Sequence, residues 1–435
     1  MQKLLRIFVS LLCIVICAPA LYAANIGPGS DDGFINYSAK SGDTLIDIGK
    51  RYLNSPSAYR TVQQQNRIAD PRLLPVGKVI RIARSLLKYQ AVTAKVISVR
   101  GNVMIGAAPA SAGQNVGEGV TLRTAASSFI TLSLPNGSRV SLPSNSDLRI
   151  RLLRTYTLGG ALDYDFDVAK GGASTRVTPL NSADDRYRVR TPRAVSAVRG
   201  TDFQVRYDAA LNRDFAEVTE GALAVGAGVS SDIALPAGNG LAIPPAGAII
   251  REALLPEPVF IEPGKIQANP ELLFAVNPAQ NEAGYRVTLA ADAGFVEQLA
   301  DVVITGREAK LANINDGNYF LRARAISANG IQGVPVTYAF KRRLNGVSAT
   351  AGAGNDGYNF KWQSDGGGIR KFHFQLFTGW PNGTAMIDEP ALLDQQITIS
   401  DLPPGDYFWR VGAVQYAGGE VATNWTSFEK LSVTR

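Results

Sequence analysis

Apolar and polar positions divide the chain into a short segment with helical periodicity and a long remainder that alternates. Between Ile35 and Ile82, an alternating run is followed by apolar residues at helical spacing and then by a second alternating run. Asp43 or Thr44 supplies the side-chain oxygen that caps the first helix, which begins near Leu45. The pattern predicts a strand, two short helices and a closing strand within one small module.

Short alternating segments with turn residues between them occupy 91–229. The run 129–134 meets an Asn-Gly turn and returns through 139–142, which is the pattern of a hairpin. Each segment offers one apolar face to a core and one polar face to solvent. We therefore expect an all-β domain here, with linkers at 83–89 and at 238–258, the second of which is rich in Pro, Gly and Ala.

The rest of the chain contains an internal repeat. The stretch 317–325 shares five identical positions with 405–413, and the offset of about 90 residues is the length of one β-sandwich module. In both copies a turn leads to a tyrosine that opens an alternating strand, as in a tyrosine corner, where the hydroxyl bonds back to a nearby backbone group. The region is similar to fibronectin type III or Ig-like modules, which implies two β-sandwiches, at 257–343 and 344–435.

The start of the chain has the features of a targeting segment. Residues 1–23 contain Lys3 and Arg6, an apolar run and small-residue cleavage sites. The run is too short to favour a spanning helix. Both cysteines, Cys13 and Cys17, lie within it, so the mature protein is expected to have neither thiols nor disulfides. We expect this signal peptide to direct export to the periplasm, with no transmembrane helix in the mature chain.

Positive charge is concentrated in the N-terminal module. The chain has a formal net charge of +7, and 35–84 holds nine basic and three acidic side chains. Such a surface favours anionic cell-wall polymers, including the carboxylates of stem peptides. Nucleic acid is the other common partner of a basic surface, but the expected export argues against it. A solvated basic surface without a dedicated partner is the alternative.

The sequence offers few groups for catalysis. His373 is the only histidine, and it lies on the polar side of a predicted strand. Without a cysteine in the mature chain, Ser-His-Asp and Cys-His catalysis and multi-histidine metal sites are effectively excluded. Paired carboxylates could still cleave a glycan, but no pair stands out. We predict that the protein is not an enzyme and needs no cofactor.

One acidic run is a candidate metal site. Asp163, Asp165 and Asp167 alternate along a strand and therefore share one face. A calcium loop requires a turn and a glycine after the third aspartate, whereas Val168 follows here. Ion pairing with the arginines of 149–154 on a neighbouring strand is the simpler interpretation, and no metal is predicted.

Several short motifs lie at defined spacing in the N-terminal module. They are the entry Ser41-Gly42-Asp43-Thr44-Leu45, Asn66 at the end of the second helix, the turn Ile68-Ala69-Asp70-Pro71, and Pro75-x-Gly77. In this combination 35–84 resembles a LysM module, the βααβ domain that binds N-acetylglucosamine-containing glycans such as peptidoglycan. The segment departs from the family at Ile46 and Tyr59, where tryptophan is common, which could weaken the glycan-facing surface.

The resemblance implies a sugar groove between the loop before the first helix and the loop before the second strand. Carried onto this chain, it implies glycan-binding residues from both loops: Gly42, Asp43, Thr44, Leu45, Ile68, Ala69, Pro71, Leu73 and Leu74. Backbone N–H and C=O groups in loops can bond the acetamide of such a sugar, while an apolar wall takes its methyl group. A capping or turn role alone is the alternative for each residue.

A longer motif lies in the central region. It runs from Arg188 to Phe203, includes Val198-Arg199-Gly200-Thr201, and is followed by Val218-Thr219-Glu220-Gly221. The motif is similar to the core signature of the FecR domain, which implies a periplasmic β domain at 91–229 suited to protein contact. FecR regulators usually carry a membrane helix and a cytoplasmic tail, and neither is predicted here. We expect a structural role for Arg199 and a bend or close backbone approach at Gly200.

These patterns predict a mainly β, multidomain protein with a small βααβ LysM module, an all-β FecR-like domain and two β-sandwich modules. We interpret it as a non-catalytic periplasmic adaptor that is anchored to peptidoglycan and presents its β domains to an envelope protein partner. A FecR-like periplasmic sensor or regulator is the second interpretation. A cell-wall hydrolase that works through carboxylates is the third.

Overall fold

Strands make up most of the secondary structure, and the α-helices of the described part of the chain lie near its N-terminus. The computed structural model describes residues 33–227, 232–261, 264–278, 280–380, 383–417 and 419–434. The prediction of a mainly β, multidomain protein is confirmed, whereas the predicted signal peptide lies outside the described residues. Within them, no helix combines the length and the apolar character that crossing a membrane requires.

The N-terminal module, 33–88, packs two short helices against a pair of strands. In chain order its elements are β1 (Phe34–Ser38), α1 (Leu45–Tyr52), a 3-10 turn (Pro56–Ala58), α2 (Tyr59–Gln65) and β2 (Val79–Ala83). Thr44 caps α1, and Asn66 ends α2. The Asn66 side chain also bonds both the N–H and the carbonyl of Arg81, each at 2.8 Å. The predicted order of strand, helix, helix and strand is confirmed.

The segment that follows β2 is folded against the rest of the molecule. Arg84–Leu86 form a 3-10 turn, and Leu87 is 1% exposed. Tyr156 of the central region packs into the same hydrophobic core as the N-terminal module. The predicted linker at 83–89 is therefore wrong, because Leu87 is buried in this shared core and Leu86 packs half-buried against it.

The central β region, 89–253, closes its sheet into a ring of hydrogen-bonded neighbours. Its strands are β3 (Tyr89–Ala91), β4 (Ala94–Arg100), β5 (Val103–Ile105), β6 (Ala108–Pro109), β7 (Asn115–Val116), β8 (Thr121–Thr124), β9 (Phe129–Ser133), β10 (Arg139–Leu142), β11 (Asp147–Tyr156), β12 (Leu162–Arg176), β13 (Arg186–Arg190), β14 (Ala194–Val198), β15 (Asp202–Asp208), β16 (Arg213–Glu220), β17 (Ala222–Ala227), β18 (Ile233–Pro236), β19 (Asn239–Ile243) and β20 (Ile250–Ala253). The long strand β12 serves two sides, since its first half pairs with β11 and β13 and its second half with β10 and β15. Residues such as Leu132, Phe166 and Val218 fill one common core.

The closed sheet continues past 229, where the sequence pattern suggested an end. β19 pairs with β16, and β20 pairs with β19, so the linker predicted at 238–258 is wrong over much of its length. Its small residues serve close packing. A Cβ on Gly240 would come within 2.4 Å of the Ile331 side chain, and Ala242 is fully buried.

Two pairs of sheets follow the central region. The strands of the first pair are β21 (Ile266–Gln267), β22 (Leu272–Ala275), β23 (Glu282–Ala290), β24 (Gln298–Ile304), β25 (Glu308–Leu311), β26 (Gly317–Ser327) and β27 (Val336–Arg342). Those of the second are β28 (Val347–Gly354), β29 (Gly357–Ser364), β30 (Ile369–Thr378), β31 (Ile387–Leu392), β32 (Gln396–Ile399), β33 (Gly405–Ala417), β34 (Glu420–Trp425) and β35 (Glu429–Val433). The order β24-β23-β26-β27 of the first pair matches β31-β30-β33-β34 of the second, and each pair encloses its own core.

Both copies of the repeat contain a tyrosine corner. The Tyr319 hydroxyl donates to the carbonyl of Asn315 at 3.0 Å, and the Tyr407 hydroxyl donates to the carbonyl of Pro403 at 2.8 Å. Each tyrosine thereby ties the start of its strand to the preceding turn. The prediction from the repeat is confirmed.

The first of these sheet pairs packs against the central region through the turn after β26. Ile331 is 1% exposed and lies in a small core with Phe215 and Leu254. The N–H of Gln332 donates to a carboxylate oxygen of Glu217 at 3.1 Å. This junction is apolar at its centre and hydrogen-bonded at its side.

Candidate functional site

The two loops that are expected to form a groove lie at the same end of the β1–β2 pair. The N–H of Leu45 donates to the carbonyl of Pro71 at 2.8 Å, and the N–H of Gly77 donates to the carbonyl of Ala39 at 2.8 Å. The loop before α1 and the loop before β2 are therefore joined by direct backbone contact. The predicted site residues from the two loops are brought together.

Asp43 is 8% exposed and holds the first loop in shape. Its Oδ2 accepts hydrogen bonds from the Tyr37 hydroxyl at 2.6 Å and the Lys40 N–H at 2.8 Å, and its Oδ1 accepts one from Arg51 at 2.5 Å. Burial alone would raise the pKa of Asp43, but these hydrogen bonds outweigh burial and lower the pKa to about 2. Burial and the bond to Asp43 raise the pKa of Tyr37 to about 12. The ionised carboxylate is occupied by the loop itself, so it acts as a positioning group.

Three other predicted residues also have their side chains committed to the fold. The Thr44 hydroxyl accepts a hydrogen bond from the N–H of Asp47 at 3.0 Å as the cap of α1. Leu45 is 0% exposed and Ile68 is 6% exposed, and both belong to the core of the module. These two side chains are closed to a ligand, and only their backbone groups can face one.

The remaining predicted residues are exposed or half-buried: Gly42, Ala69, Pro71, Leu73 and Leu74. Leu73 is 72% exposed, and Val76, three residues further along the same loop and not among the predicted residues, is 71% exposed. Gly42 has a φ of 81°, a conformation that favours glycine. The exposed part of the site therefore combines backbone polar groups with apolar side chains.

Gln63 supports the second loop of the site, although it is not among the residues predicted from the sequence. Its Nε2 donates to the carbonyl of Ile68 at 3.0 Å and to the carbonyl of Ala69 at 3.2 Å, which fixes the start of the second loop. A glutamine on a short helix has no feature in the sequence that distinguishes this role from solvent exposure. The contact depends on the way the loop folds back over α2.

This arrangement is suited to binding a neutral, partly apolar ligand. Backbone N–H and C=O groups can hydrogen-bond an amide, and exposed leucines can contact a methyl group or a ring.

His373 contacts Asp388 and packs against Trp425 in the last pair of sheets. In the described part of the chain, no cluster of three or more His, Cys, Asp or Glu side chains is arranged to hold a metal ion.

The acidic run of the central region lies in a ladder of ion pairs. Asp163 is fully buried and accepts hydrogen bonds from Arg186 at 2.7 and 2.5 Å. Asp165, also buried, pairs with Arg188 at 2.5 Å. The predicted position opposite 149–154 is confirmed by the register of β11, where Arg149 lies across from Asp167 and Arg154 lies across from Asp163. The ion pairs given above for Asp163 and Asp165 are made by β13, which the sequence did not predict. β13 is the parallel neighbour of β12, a pairing that alternation along the chain does not reveal.

The FecR-like motif contains the close backbone approach that the sequence predicts. Gly200 has a φ of 79°, and a Cβ there would lie 2.9 Å from the Cα of Pro179. Arg199 is exposed and donates to the carbonyl of Ser182 at 2.8 Å. Gly200 is required by packing, whereas Arg199 ties a surface loop to the strand.

Two family models match parts of the chain. The LysM domain model matches 37–83, and the FecR protein model matches 120–224. Both resemblances found in the sequence are thereby confirmed. Domains of these families have binding or regulatory roles, and they are typical of extracytoplasmic proteins. No curated protein is significantly similar to the chain in sequence.

Several solved structures are similar to parts of the chain at low identity. A candidate anti-sigma factor from Parabacteroides distasonis is 19% identical, with a TM-score of 0.26, over 31% of this chain and 59% of its own. The chicken CNTN1 FN1-FN3 domains are 13% identical, with a TM-score of 0.21, over 56% of this chain and 95% of their own. Fibronectin(III)-like modules of Clostridium thermocellum CbhA are 14% identical, with a TM-score of 0.19, over 40% and 90%. The chain thus spans 59% of the length of the anti-sigma factor that it matches.

Proposed function

We propose that this protein is a non-catalytic periplasmic adaptor that binds peptidoglycan through its N-terminal module. The LysM match at 37–83 supports glycan binding by that module. The observation that carries the proposal is the backbone contact from Leu45 to Pro71, which joins the two loops of the groove. The β regions that follow then present surfaces to other envelope proteins.

An N-acetylglucosamine unit in this proposal lies between the two loops. Backbone groups near Gly42 and Ala69 bond its acetamide, and the exposed side chain of Leu73 and the half-buried side chain of Leu74 contact its apolar face. Asp43 contributes by holding the first loop. A single short groove binds weakly, so firm anchoring depends on avidity or on a protein partner.

A sensor or regulator is the second candidate, and the FecR match at 120–224 favours it. In that case the central region binds a signalling partner, and contact with the cell wall is secondary. Co-purification with a membrane-inserted receptor protein would support the regulator over the adaptor. A carboxylate-dependent hydrolase is the third candidate, and clearing of purified cell wall in a zymogram would identify it.

Sedimentation with purified peptidoglycan tests the proposal. The full chain is expected to pellet with the polymer, and a variant carrying Leu73→Ser and Leu74→Ser is expected to stay largely in the supernatant. Leu211→Ser is the matched control, because Leu211 is 56% exposed in the central region. Equal pelleting of all three proteins would contradict glycan binding by these loops.

A further inference from the structure

A second cleft lies at the junction of the N-terminal module and the central region. Its volume is about 470 Å³, within the range of small-ligand sites. Five arginines line it: Arg84, Arg149, Arg151, Arg154 and Arg186. Two aspartates, Asp163 and Asp167, also line it. Because the arginines outnumber the aspartates five to two, the lining is cationic.

The sequence brings these arginines together through an irregularity in β11. The register between β11 and β12 shifts between Ile150 and Leu152, so Arg151 forms a bulge. Strict alternation would put Arg149 and Arg154 on opposite faces of the strand. After the shift, Arg149 lies across from Asp167, and Arg154 lies across from Asp163, two residues that share one face of β12. The bulge therefore places both arginines on the cleft side.

Part of the positive charge is neutralised within the protein. Arg186 pairs with Asp163, and Arg154 pairs with Glu118 at 2.8 and 3.0 Å. Asp167, across from Arg149 in the register, offsets one further charge. The lining itself still holds five arginines against two aspartates, so its own charge is positive.

Arg84 is the buried arginine of the lining. It is 6% exposed, its guanidinium lies 5.3 Å from the ring centre of Tyr156, and its Nη2 donates to the carbonyl of Asp184. Among the described residues, no atom accepts a hydrogen bond from its Nε or Nη1. Burial and the nearby Arg186 lower the pKa of Arg84. A buried guanidinium with unused donors is costly, and an oxyanion supplies the acceptors that it lacks.

We propose that this cleft binds an oxyanion, a carboxylate or a phosphate group, at a site separate from the sugar groove. Arginine is suited to both groups because its planar fork bonds two oxygens at once. Arg84 of the cleft comes directly after Ala83, which pairs with Phe34 at one end of the β1–β2 pair. The sugar loops adjoin Ser38 and Val79 at the other end of that pair. Five residues of strand separate the two sites by about 15 Å. Where the proposed wall binding holds, the carboxylates of the peptide stems are the natural source, and free phosphate is the other.

The test measures binding to the full chain by isothermal titration calorimetry. The probes are a stem tetrapeptide with free carboxylates, the same peptide fully amidated, inorganic phosphate, and an uncharged N-acetylglucosamine tetramer. Arg149→Gln is the main variant because Arg149 is exposed and its loss should leave the fold intact. Arg84→Gln is the second variant, and Arg251→Gln, an exposed arginine on β20, is the matched control.

The free peptide is expected to bind, and the amidated peptide is expected not to bind. The Arg149→Gln substitution is expected to raise the Kd of the free peptide about tenfold. The Arg251→Gln control should bind as the wild type does. Phosphate binding that is lost in Arg149→Gln, without peptide binding, supports the site and identifies phosphate as its source. The proposal is overturned if neither the free peptide nor phosphate binds. It is also overturned if both probes bind Arg149→Gln and Arg84→Gln as tightly as they bind the wild type. Failure of the uncharged tetramer alone contradicts the sugar groove and leaves the cleft standing.

Discussion

The hydrogen bonds of Asp43 give a sharp prediction about the first loop of the candidate groove. The change Asp43→Asn keeps the size of the side chain and removes its charge. Three donors now point at that carboxylate, from Tyr37, Lys40 and Arg51. An amide cannot accept all three equally well, and its NH₂ group would face donors. We expect the loop to open more often in the variant at neutral pH.

The magnitude follows from the pKa of Asp43. The difference between the ordinary value of 3.8 and about 2 corresponds to an upper limit of about 2 kcal/mol at neutral pH. Arg51 is 48% exposed, so solvent screens its part, and we expect about 1 kcal/mol. Because the pKa is lowered in the folded state, this stabilisation is complete above about pH 4. It is lost as the pH falls through 2.

Hydrogen exchange measured by mass spectrometry resolves this local effect in the full chain. Amides in 39–52 are expected to exchange about fivefold faster in Asp43→Asn at pH 7, after correction for intrinsic rates. Amides in 405–417 should not change. Asp394→Asn is the control, since Asp394 is an exposed carboxylate in the last pair of sheets.

The pH dependence distinguishes the charge effect from a general loss of packing. The gap between wild type and Asp43→Asn should narrow as the pH falls below about 4, become small near 2 and disappear below 2. Equal exchange at pH 7 would show that the carboxylate does not hold the loop. A gap that stays constant down to pH 2 would show that its charge is not responsible.

Three further substitutions test other parts of the fold. Tyr407→Phe removes the corner hydrogen bond and should lower the stability of the last pair of sheets by about 1 kcal/mol, measured by denaturant unfolding. Gly200→Ala should cost about 2 kcal/mol, since its Cβ is strained at positive φ and meets Pro179; an unchanged melting temperature would contradict this. Asp165→Asn leaves the guanidinium of Arg188, which is 4% exposed, without its charged partner, and should cost about 3 kcal/mol in the same unfolding assay.

The features that the sequence predicted correctly depend on local pattern or on repetition. The apolar spacing that begins at Leu45 defines α1 because helix faces repeat within a few residues. Tyr319 and Tyr407 could be recognised as corners because the same turn and strand occur twice in the chain. The two loops of the candidate groove were found in the same way, from short motifs at fixed spacing.

The features that it missed depend on contacts between distant segments. Asp163 and Arg186 meet through parallel pairing of β12 with β13, which no local alternation encodes. The composition of 238–258 does not distinguish a linker from a strand, because small residues suit both flexible linkers and tightly packed strands. The cleft around Arg84 requires the N-terminal module to fold against β11, and a basic residue after a strand gives no sign of this.

Mapping of backbone amide shifts by NMR tests the central claim most directly. The full chain would be titrated with a soluble N-acetylglucosamine tetramer while the amide resonances are followed. The proposed glycan site predicts saturable shifts concentrated in 42–45 and 68–74, with the Leu73→Ser and Leu74→Ser variant responding weakly. Absence of shifts, or shifts confined to the β regions after residue 89, would contradict glycan binding by the N-terminal module.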